Sequence, residues 1–324
     1  MSFVFRAKSQ HRFRFRFRKL FLSRSFSSST EFSRFVRFLD ENGKERIGAP
    51  MHRSGESDGE PTHAQLIEGA AHSLTDRICT ISKFLPPLPL LPVPMIFAVG
   101  LNYRAHVSET LTDENAQKAD WREPSNPIIF GKNPNAIVAH RDDIIIPKVC
   151  VDVNPNEPAV DFESELAVII GRPALDVSEE DALSYVFGYT IANDVSARDW
   201  QLRKDLGEGQ WIRGKSFNSF CPLGPVTVLP SGFPNGIDNL RISSHLNGEE
   251  MQNSSTSQMI FSTAKLISFL SQDTTLLPGT VILTGTPEGV GFVRDPKVFL
   301  KPNDTISCEI ENIGRLENSV VSKS

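Results

Sequence analysis

Short runs of branched apolar residues recur along most of the chain and alternate with segments rich in Gly, Pro and Asn. Runs of this length and composition, bounded by turn residues, are typical of β-strands. They predict strands at residues 96–99, 128–130, 144–146, 166–170, 186–195, 226–229, 240–246, 281–284 and 306–310. The chain from residue 95 onward is therefore predicted to fold around a β-rich core.

A helical pattern interrupts these strands at a few places. Apolar residues at helical spacing predict helices at residues 263–270 and at residues 178–184, where Ser178 is suited to cap the N-terminus. Residues 65–82 are predicted to form another helix ahead of the main domain. Together these elements place the chain in a mixed, β-rich α+β class.

The N-terminal part is predicted to contain a small β unit. Residues 35–38 and 46–49 have the pattern of two short strands, joined by a turn that contains Asn42 and Gly43. The proline-rich residues 86–94 are suited to form a linker. We therefore divide the chain into residues 1–30, a small N-terminal β region with its linker at residues 31–94, and a main domain at residues 95–324.

The first thirty residues differ in charge from the rest of the chain. They contain six Arg, two Lys and no acidic residue, whereas the whole chain has a formal net charge of -5. An Arg-, Phe- and Ser-rich start without acids is typical of a mitochondrial transit peptide, and a disordered basic tail is the alternative. Residues 1–30 thus predict import into the mitochondrial matrix. The acidic remainder argues against binding of nucleic acid.

The sequence indicates neither a membrane-spanning helix nor a cysteine framework. The most apolar stretch, residues 84–100, contains five prolines, which a membrane helix would not tolerate. The four cysteines form no CxxC pair, so we expect neither a disulfide framework nor a cysteine zinc site.

Acidic residues occur at the ends of two apolar runs. Glu163 and Glu165 are two residues apart at the start of a predicted strand, so their side chains share a face. Asp194 follows the apolar residues 186–192. A solvated strand face is the ordinary explanation of a lone Glu-x-Glu pair. Three carboxylates at the ends of hydrophobic strands instead favour a hard cation, so we predict Mg²⁺, with Mn²⁺ or Ca²⁺ as alternatives, and no organic cofactor.

Two further polar segments are candidates for catalysis. His106 and Glu109 are neighbours if they occupy one helical turn, so the carboxylate can orient the imidazole as a general base. A surface pair explains these two residues equally well. Arg198, Gln201 and Lys215 can hold a substrate carboxylate and stabilise an enolate or oxyanion, although solvation at the surface is the commoner role of such side chains.

The glycine-rich residues 284–291 form a third notable segment. Their spacing does not match a dinucleotide-binding loop, and Pro287 would disrupt the helix that such a loop requires. We therefore exclude NAD binding and interpret the segment as a turn that lines the substrate site.

Several of these segments occur in the order known from one enzyme family. GLNYRAHVSE, DFESELAVIIG, NDVSARDWQ, GKSFNSFCPLGP, TSQMIFSTAKLI and LTGTPEGVGF resemble the C-terminal domain of the fumarylacetoacetate hydrolase family. The likeness runs from about residue 95 to residue 320, and the combination of motifs is specific although each one alone is not. The resemblance implies a distorted β-barrel or β-roll of mixed sheets that forms a homodimer.

The resemblance also implies roles for single residues. The positions that hold a divalent cation in the family are occupied here by Glu163, Glu165 and Asp194. His106 and Glu109 match its acid/base pair, Lys215 matches its oxyanion or enolate partner, and residues 110–124 are expected to form a lid. The substrate-contacting positions are occupied by Arg198, Gln201 and Thr286.

The substrate implied by the resemblance is a small keto or diketo acid. Residues 32–94 do not resemble the larger N-terminal domain of full-length fumarylacetoacetases, so fumarylacetoacetate itself is disfavoured. The mitochondrial branch of the family implies keto–enol tautomerisation of oxaloacetate through an enolate stabilised by the cation. Hydrolysis of a C–C bond in an acylpyruvate, decarboxylation of oxaloacetate and a binding protein without turnover are the alternatives.

Overall fold

The computed structural model describes residues 32–51, 60–69, 73–88, 92–110, 123–207 and 209–323. The predicted leader at residues 1–30 and most of the predicted lid, residues 110–124, lie outside these ranges. Among the described residues, no helix is long and apolar enough to cross a membrane.

Strands dominate the described part of the chain. The N-terminal strands are β1 (Arg34–Leu39), β2 (Glu45–Met51), β3 (His63–Glu68), β4 (Ser73–Thr80) and β5 (Lys83–Leu85). The later strands are β6 (Ile96–Gly100), β7 (Ile128–Lys132), β8 (Ile137–Ala139), β9 (Ile144–Ile146), β10 (Val160–Asp161), β11 (Ser164–Ile170), β12 (Val186–Asn193), β13 (Ser196–Ala197), β14 (Cys221–Val228), β15 (Arg241–Leu246), β16 (Glu249–Ser255), β17 (Val281–Leu283), β18 (Thr305–Ile310) and β19 (Gly314–Ser322). The helices are α1 (Arg104–Thr110), α2 (Lys148–Val153), α3 (Glu179–Ala182), α4 (Arg198–Leu202), α5 (Trp211–Lys215) and α6 (Thr263–Leu270).

The strands are arranged in mixed sheets. Within the described residues, the largest sheet has the order β4-β3-β2-β1-β14-β12-β11-β17-β6-β7, with β5 beside β1 and β8 beside β14. A second sheet has the order β16-β15-β18-β19-β9, and β10 pairs with β13. Parallel pairs such as β17 with β6 occur among antiparallel ones. The prediction of a β-rich α+β fold is therefore confirmed.

Strands β11 and β12 form the centre of the large sheet. Every residue of both strands is buried, which explains why each strand is largely apolar in the sequence. Ala167 and Ile169 pack into one hydrophobic cluster, whereas Leu166 and Val168 pack into another on the opposite face. The two strands pair from Ser164, opposite Asn193, so the acidic residues next to this end of the pair are brought together.

The predicted N-terminal strands at residues 35–38 and 46–49 are confirmed as parts of β1 and β2. They pair antiparallel, and Gly43 in the connecting turn has a φ of +70°, which glycine adopts without strain. Strand β1 also pairs with β14, at Arg34 opposite Val228. The large sheet therefore continues from the N-terminal region into the main domain.

The predicted helix at residues 65–82 is wrong. This part of the chain contains β3 and β4, which pair antiparallel with His63 opposite Thr80. Strand β3 also pairs with β2, so its backbone groups are satisfied on both sides. Gly69, at the end of β3, has a φ of +79°, which is incompatible with a continuous helix. The pairing with β2 overrides the helix propensity of the local Ala, Leu and Glu residues.

Glu60 links the segment before β3 to the main domain. Its carboxylate accepts hydrogen bonds from Arg141, and His140 Nε2 lies 3.5 Å from Glu60 Oε1. Burial raises the pKa of Glu60, but His140 and Arg141 outweigh that effect and lower the pKa to about 2. The ion pairs therefore stabilise the fold above the ordinary carboxyl pKa, and this contribution is lost as the pH falls toward about 2.

We expect Glu60→Gln to lower the melting temperature more at pH 7 than at pH 3. The reason is that the ionised carboxylate contributes fully above its unfolded pKa and only in part below it. Thermal unfolding of the variant and the wild type at both pH values measures the difference. An equal loss at the two pH values would show that the charge of Glu60 is not the cause.

Candidate active site

Three buried carboxylates converge where β11 and β12 pair. Glu163 precedes β11, Glu165 lies within it, and Asp194 follows β12. The backbone N–H of Asp194 donates to the carbonyl of Glu163 over 2.8 Å, which fixes the relative position of these residues. One ligand atom from each carboxylate lies within 4.8 Å of the others. The structure thus brings together the three residues that the sequence predicts as cation ligands.

Buried cations contact two of these carboxylates. Lys215, at the end of α5, donates to Glu163 Oε2 and to Asp194 Oδ2, each over 2.7 Å. Arg198, at the start of α4, lies 2.7 Å from Glu163 Oε1. Only 2% of the surface of Lys215 is exposed, so its predicted alternative role as a solvated surface residue does not apply.

The electrostatic environment differs between the carboxylates. Burial opposes ionisation of Glu163, but the charges of Lys215 and Arg198 outweigh it and lower the pKa of Glu163 to about 2. Burial raises the pKa of Glu165 well above its usual range, and the charges of Asp194 and Glu163 act in the same direction. A negative charge on Glu165 is therefore unfavourable unless another cation is added.

The residues fit a divalent cation. The carboxylates supply hard oxygen ligands in a buried, compact arrangement, and an added cation would offset the unfavourable charge of Glu165. Glu163, Glu165 and Asp194 are the residues that would hold it. The donor set suits Mg²⁺ or Mn²⁺ because it contains oxygen atoms and neither sulfur nor imidazole nitrogen.

The His106–Glu109 pair has the geometry expected of an oriented base. Both residues lie on α1, and His106 Nδ1 is 2.6 Å from Glu109 Oε1. A carboxylate at this distance favours the tautomer with the proton on Nδ1, which leaves Nε2 as the basic nitrogen. His106 is only 7% exposed, and a positive charge on its ring would lower the pKa of Glu163, so the two side chains are near each other. His106 is therefore buried near the carboxylate cluster, whereas Glu109 is half-buried, with 22% of its side chain exposed.

The turn at residues 284–291 supports both parts of the site through its backbone. The N–H of Gly285 donates to Glu165 Oε2 over 2.7 Å, and the N–H of Gly289 donates to Glu109 Oε2 over 2.9 Å. Gly285 has a φ of +98°, and a side chain there would collide with Asn102. The segment predicted to line the substrate site thus holds one candidate cation ligand and the partner of His106.

Asn102 joins this turn to a neighbouring loop. Its fully buried side chain donates to the carbonyls of Thr284 and Phe261, over 2.7 and 3.0 Å, and accepts from the N–H of Phe261 over 2.8 Å. All these bonds lie beside the segment that leads into α1. Nothing in the sequence singles out this residue, because an Asn close to a glycine is common in ordinary turns.

We expect Asn102→Ala to lower the free energy of unfolding by about 2–5 kcal/mol, because it leaves several buried backbone groups without partners. Urea denaturation measures this loss. Asn253→Ala is the matched control, since Asn253 is exposed and its side chain contacts only Glu250 and Arg241 among the described hydrogen bonds. A loss for Asn102→Ala as small as that of the control would contradict the anchoring role.

The side chains predicted to contact substrate form hydrogen bonds within the chain. Arg198 binds Asp161 Oδ2 through Nε and Nη2, over 2.9 and 2.8 Å, and Gln201 Oε1 accepts from Arg198 Nη1 over 3.0 Å. Thr286 donates to the carbonyl of Ser164 over 3.0 Å. All these side chains lie near the carboxylate cluster, and their contact with substrate stays a prediction.

Two further buried residues of this site are not predicted from the sequence. Asp161 accepts from Arg198 and from the N–H groups of Gly291 and Phe292, so it fixes the guanidinium and the end of the turn. Lys132, the last residue of β7, donates to Asp194 Oδ1 and to the carbonyl of Val195. A lysine at the end of an apolar strand normally reaches solvent, so its burial cannot be inferred from the neighbouring residues.

Comparison with known proteins identifies the family. The family model described as fumarylacetoacetate (FAA) hydrolase C-terminal matches residues 95–321. The chain is 42% identical over 269 residues to mitochondrial oxaloacetate tautomerase Fahd2a of Rattus norvegicus, covering 80% of each chain. It is 46% identical over 257 residues to a fumarylacetoacetate hydrolase domain-containing protein 2 homolog of Dictyostelium discoideum, covering 77% of this chain and 78% of the relative.

Solved structures support the same family assignment. The crystal structure of 2-hydroxyhepta-2,4-diene-1,7-dioate isomerase from Mycobacterium marinum superposes with a TM-score of 0.70 at 33% identity, covering 90% of this chain and 99% of that one. A 5-carboxymethyl-2-hydroxymuconate delta-isomerase from Mycobacterium smegmatis superposes with a TM-score of 0.69 at 34% identity, covering 90% and 100%. The match thus extends over sequence motifs, fold and most of the chain length, and the chain belongs to the fumarylacetoacetate hydrolase family of enzymes.

Proposed function

We propose that this enzyme interconverts the keto and enol forms of oxaloacetate and requires Mg²⁺. One observation carries the proposal: the buried His106, held by Glu109, lies near the compact cluster of Glu163, Glu165 and Asp194. Tautomerisation needs a group that removes a proton at one atom and returns it at another, and positive charge where the enolate forms. Relatives named oxaloacetate tautomerase, at 41–45% identity, support the choice of substrate.

The proton transfer is assigned to His106. Glu109 holds its Nδ1–H, so Nε2 is free to accept a proton from carbon C3 of a bound 2-keto acid. The imidazolium that forms lies beside the Glu109 carboxylate, which lowers the cost of its charge. Return of the same proton to oxygen yields the enol. Because Gly289 binds the other oxygen of Glu109, the turn keeps the carboxylate in place during the transfer.

Lys215 and the carboxylate cluster handle the negative charge. A bound divalent cation would polarise the carbonyl and carboxylate of a 2-keto acid and so favour the enolate. Lys215, held between Glu163 and Asp194, adds a fixed positive charge at the same place without moving during the reaction. Arg198, Gln201 and Thr286 are the residues proposed to contact the remaining substrate groups.

The decay of enol-oxaloacetate, followed by ultraviolet absorbance, tests this function. Protein that starts at residue 31 is assayed with Mg²⁺ and with EDTA, and carbon dioxide release and acetylpyruvate cleavage are measured on the same preparation. We expect fast enol loss that EDTA abolishes, without carbon dioxide or cleavage. Cleavage of acetylpyruvate without enol decay would replace the tautomerase with a C–C hydrolase, and carbon dioxide release from oxaloacetate would indicate a decarboxylase.

We further propose that the enzyme acts in the mitochondrial matrix. The support is the acid-free, Arg-rich composition of residues 1–30 together with the word mitochondrial in the names of several relatives. A fluorescent protein fused to the full chain should enter mitochondria, whereas a fusion that lacks residues 1–30 should not. Entry of both fusions would assign the targeting signal to another part of the chain.

We also propose which partners the enzyme binds. It binds a small keto or diketo acid, binds neither nucleic acid nor a membrane, and forms a homodimer, as the family resemblance implies. Light scattering coupled to size-exclusion chromatography distinguishes a dimer from a monomer of 36.0 kDa.

A further inference from the structure

Lys132 is a buried cation whose position the proposed reaction does not explain. It is the last residue of β7, and none of its side chain is exposed. Its ammonium group donates to Asp194 Oδ1 and, over 3.1 Å, to the carbonyl of Val195. Burying an ammonium group costs free energy unless it is paired. Here the pairing partner is one of the three proposed cation ligands rather than a separate acid.

Strand β7 supports both lysines of the site. Phe130 lies two residues before Lys132, so the two side chains share one face of the strand. The Phe130 ring faces the Lys215 ammonium, with 5.0 Å between Nζ and the ring centroid. Asp194 consequently receives an ammonium group on each oxygen, Lys132 on Oδ1 and Lys215 on Oδ2.

A count of charges indicates what Lys132 adds. Arg198 contacts Glu163 as well, but its charge is balanced by Asp161, which has no place among the proposed ligands. The three ligand carboxylates, two lysines and a divalent cation then leave one net positive charge when every ligand is ionised. Without Lys132 the loaded site would be neutral. Within a buried site, one unit of charge changes the affinity for an ion strongly because screening by water is weak.

We propose that Lys132 sets the charge of this site: it weakens cation binding and strengthens binding of a dianionic substrate to the loaded site. The inference rests on the proposed function, because it requires the cation to be held by Glu163, Glu165 and Asp194. Lys132 thereby keeps the site positive when a dicarboxylate arrives. A residue needed only for packing or for the orientation of Asp194 would affect both ligands in the same direction.

The test compares Lys132→Met with the wild type by isothermal titration calorimetry. Mg²⁺ is titrated into the metal-free protein, and oxalate, a small dianion, is titrated at saturating Mg²⁺. We expect Lys132→Met to bind Mg²⁺ at least about tenfold more tightly and oxalate at least about tenfold more weakly. Lys265→Met is the control, because Lys265 forms an exposed ion pair with Glu179 and should change neither affinity.

The expected changes in Mg²⁺ affinity and in oxalate affinity have opposite signs, which distinguishes a role in charge from a role in packing. Weaker binding of both ligands, or an unchanged affinity for either, would overturn the charge-setting role while leaving the metal site in place. Failure of the wild type to bind Mg²⁺ would instead overturn the proposed metal site itself, and the role of Lys132 with it. If Lys132→Met does not fold, Lys132→Gln keeps a hydrogen-bond donor without the charge and should show the same two opposite changes.

Discussion

Replacing His106 with alanine is expected to lower the rate of oxaloacetate tautomerisation by about 10²–10⁴-fold while Mg²⁺ affinity stays within a few-fold of wild type. The imidazole is the proposed proton carrier, and its Nδ1 contacts Glu109 rather than a candidate cation ligand. Its removal should therefore affect kcat and leave the carboxylate cluster intact. Enol absorbance measures the rate, and calorimetric titration with Mg²⁺ measures the affinity.

His63→Ala provides the matched control for this variant. His63 lies at the start of β3 in the N-terminal region, where it contacts Thr62, so its removal should leave kcat unchanged. Full activity of His106→Ala would exclude the imidazole as the proton carrier. A large loss of Mg²⁺ affinity in the same variant would show that His106 acts through the cation site.

Glu165→Gln is expected to reduce Mg²⁺ affinity by at least about 100-fold, because even residues that only support metal ligands cost about 10–100-fold when replaced. The substitution preserves size and can still accept the hydrogen bond from Gly285. It removes a ligand charge that burial and the neighbouring carboxylates disfavour. Activity should fall together with metal affinity.

In the absence of metal, the same substitution should instead increase stability at high pH. Because burial raises the pKa of Glu165 in the folded chain, the metal-free wild type loses stability as the pH rises from the ordinary carboxyl pKa up to the raised one. Glutamine does not ionise, so metal-free Glu165→Gln should lack this loss at high pH. Thermal unfolding in EDTA across a pH series measures it. Glu250→Gln is the control, because Glu250 forms an exposed ion pair with Arg241. Unchanged Mg²⁺ affinity in Glu165→Gln would show that Glu165 is not a ligand.

Strands buried on both faces were the easiest part of the fold to predict. Residues 166–170 and 186–192 are largely apolar because neighbours cover both sides of β11 and β12. Two-residue periodicity then placed Glu163 and Glu165 on one face, and the structure brings both to Asp194. The helix predicted at residues 65–82 is wrong because the pairing between β2 and β3 depends on residues that local helix propensity does not take into account.

The site was predictable where its partners are close in sequence. The three-residue spacing of His106 and Glu109 places them on one helical turn, and the structure shows the hydrogen bond between them. Arg198 illustrates the limit, because its partner Asp161 lies 37 residues away and nothing local connects the two. Lys132 is a still harder case, since its partner Asp194 is 62 residues distant.

The most direct test of the central claim is proton exchange at carbon C3 of oxaloacetate in D₂O, followed by NMR with wild-type enzyme. A proton carrier beside a cation site predicts deuterium incorporation at C3 well above the rate without enzyme, abolished by EDTA and by His106→Ala, and without formation of pyruvate. Exchange that remains at the wild-type rate in EDTA or in His106→Ala would contradict the account, as would pyruvate formation in step with exchange.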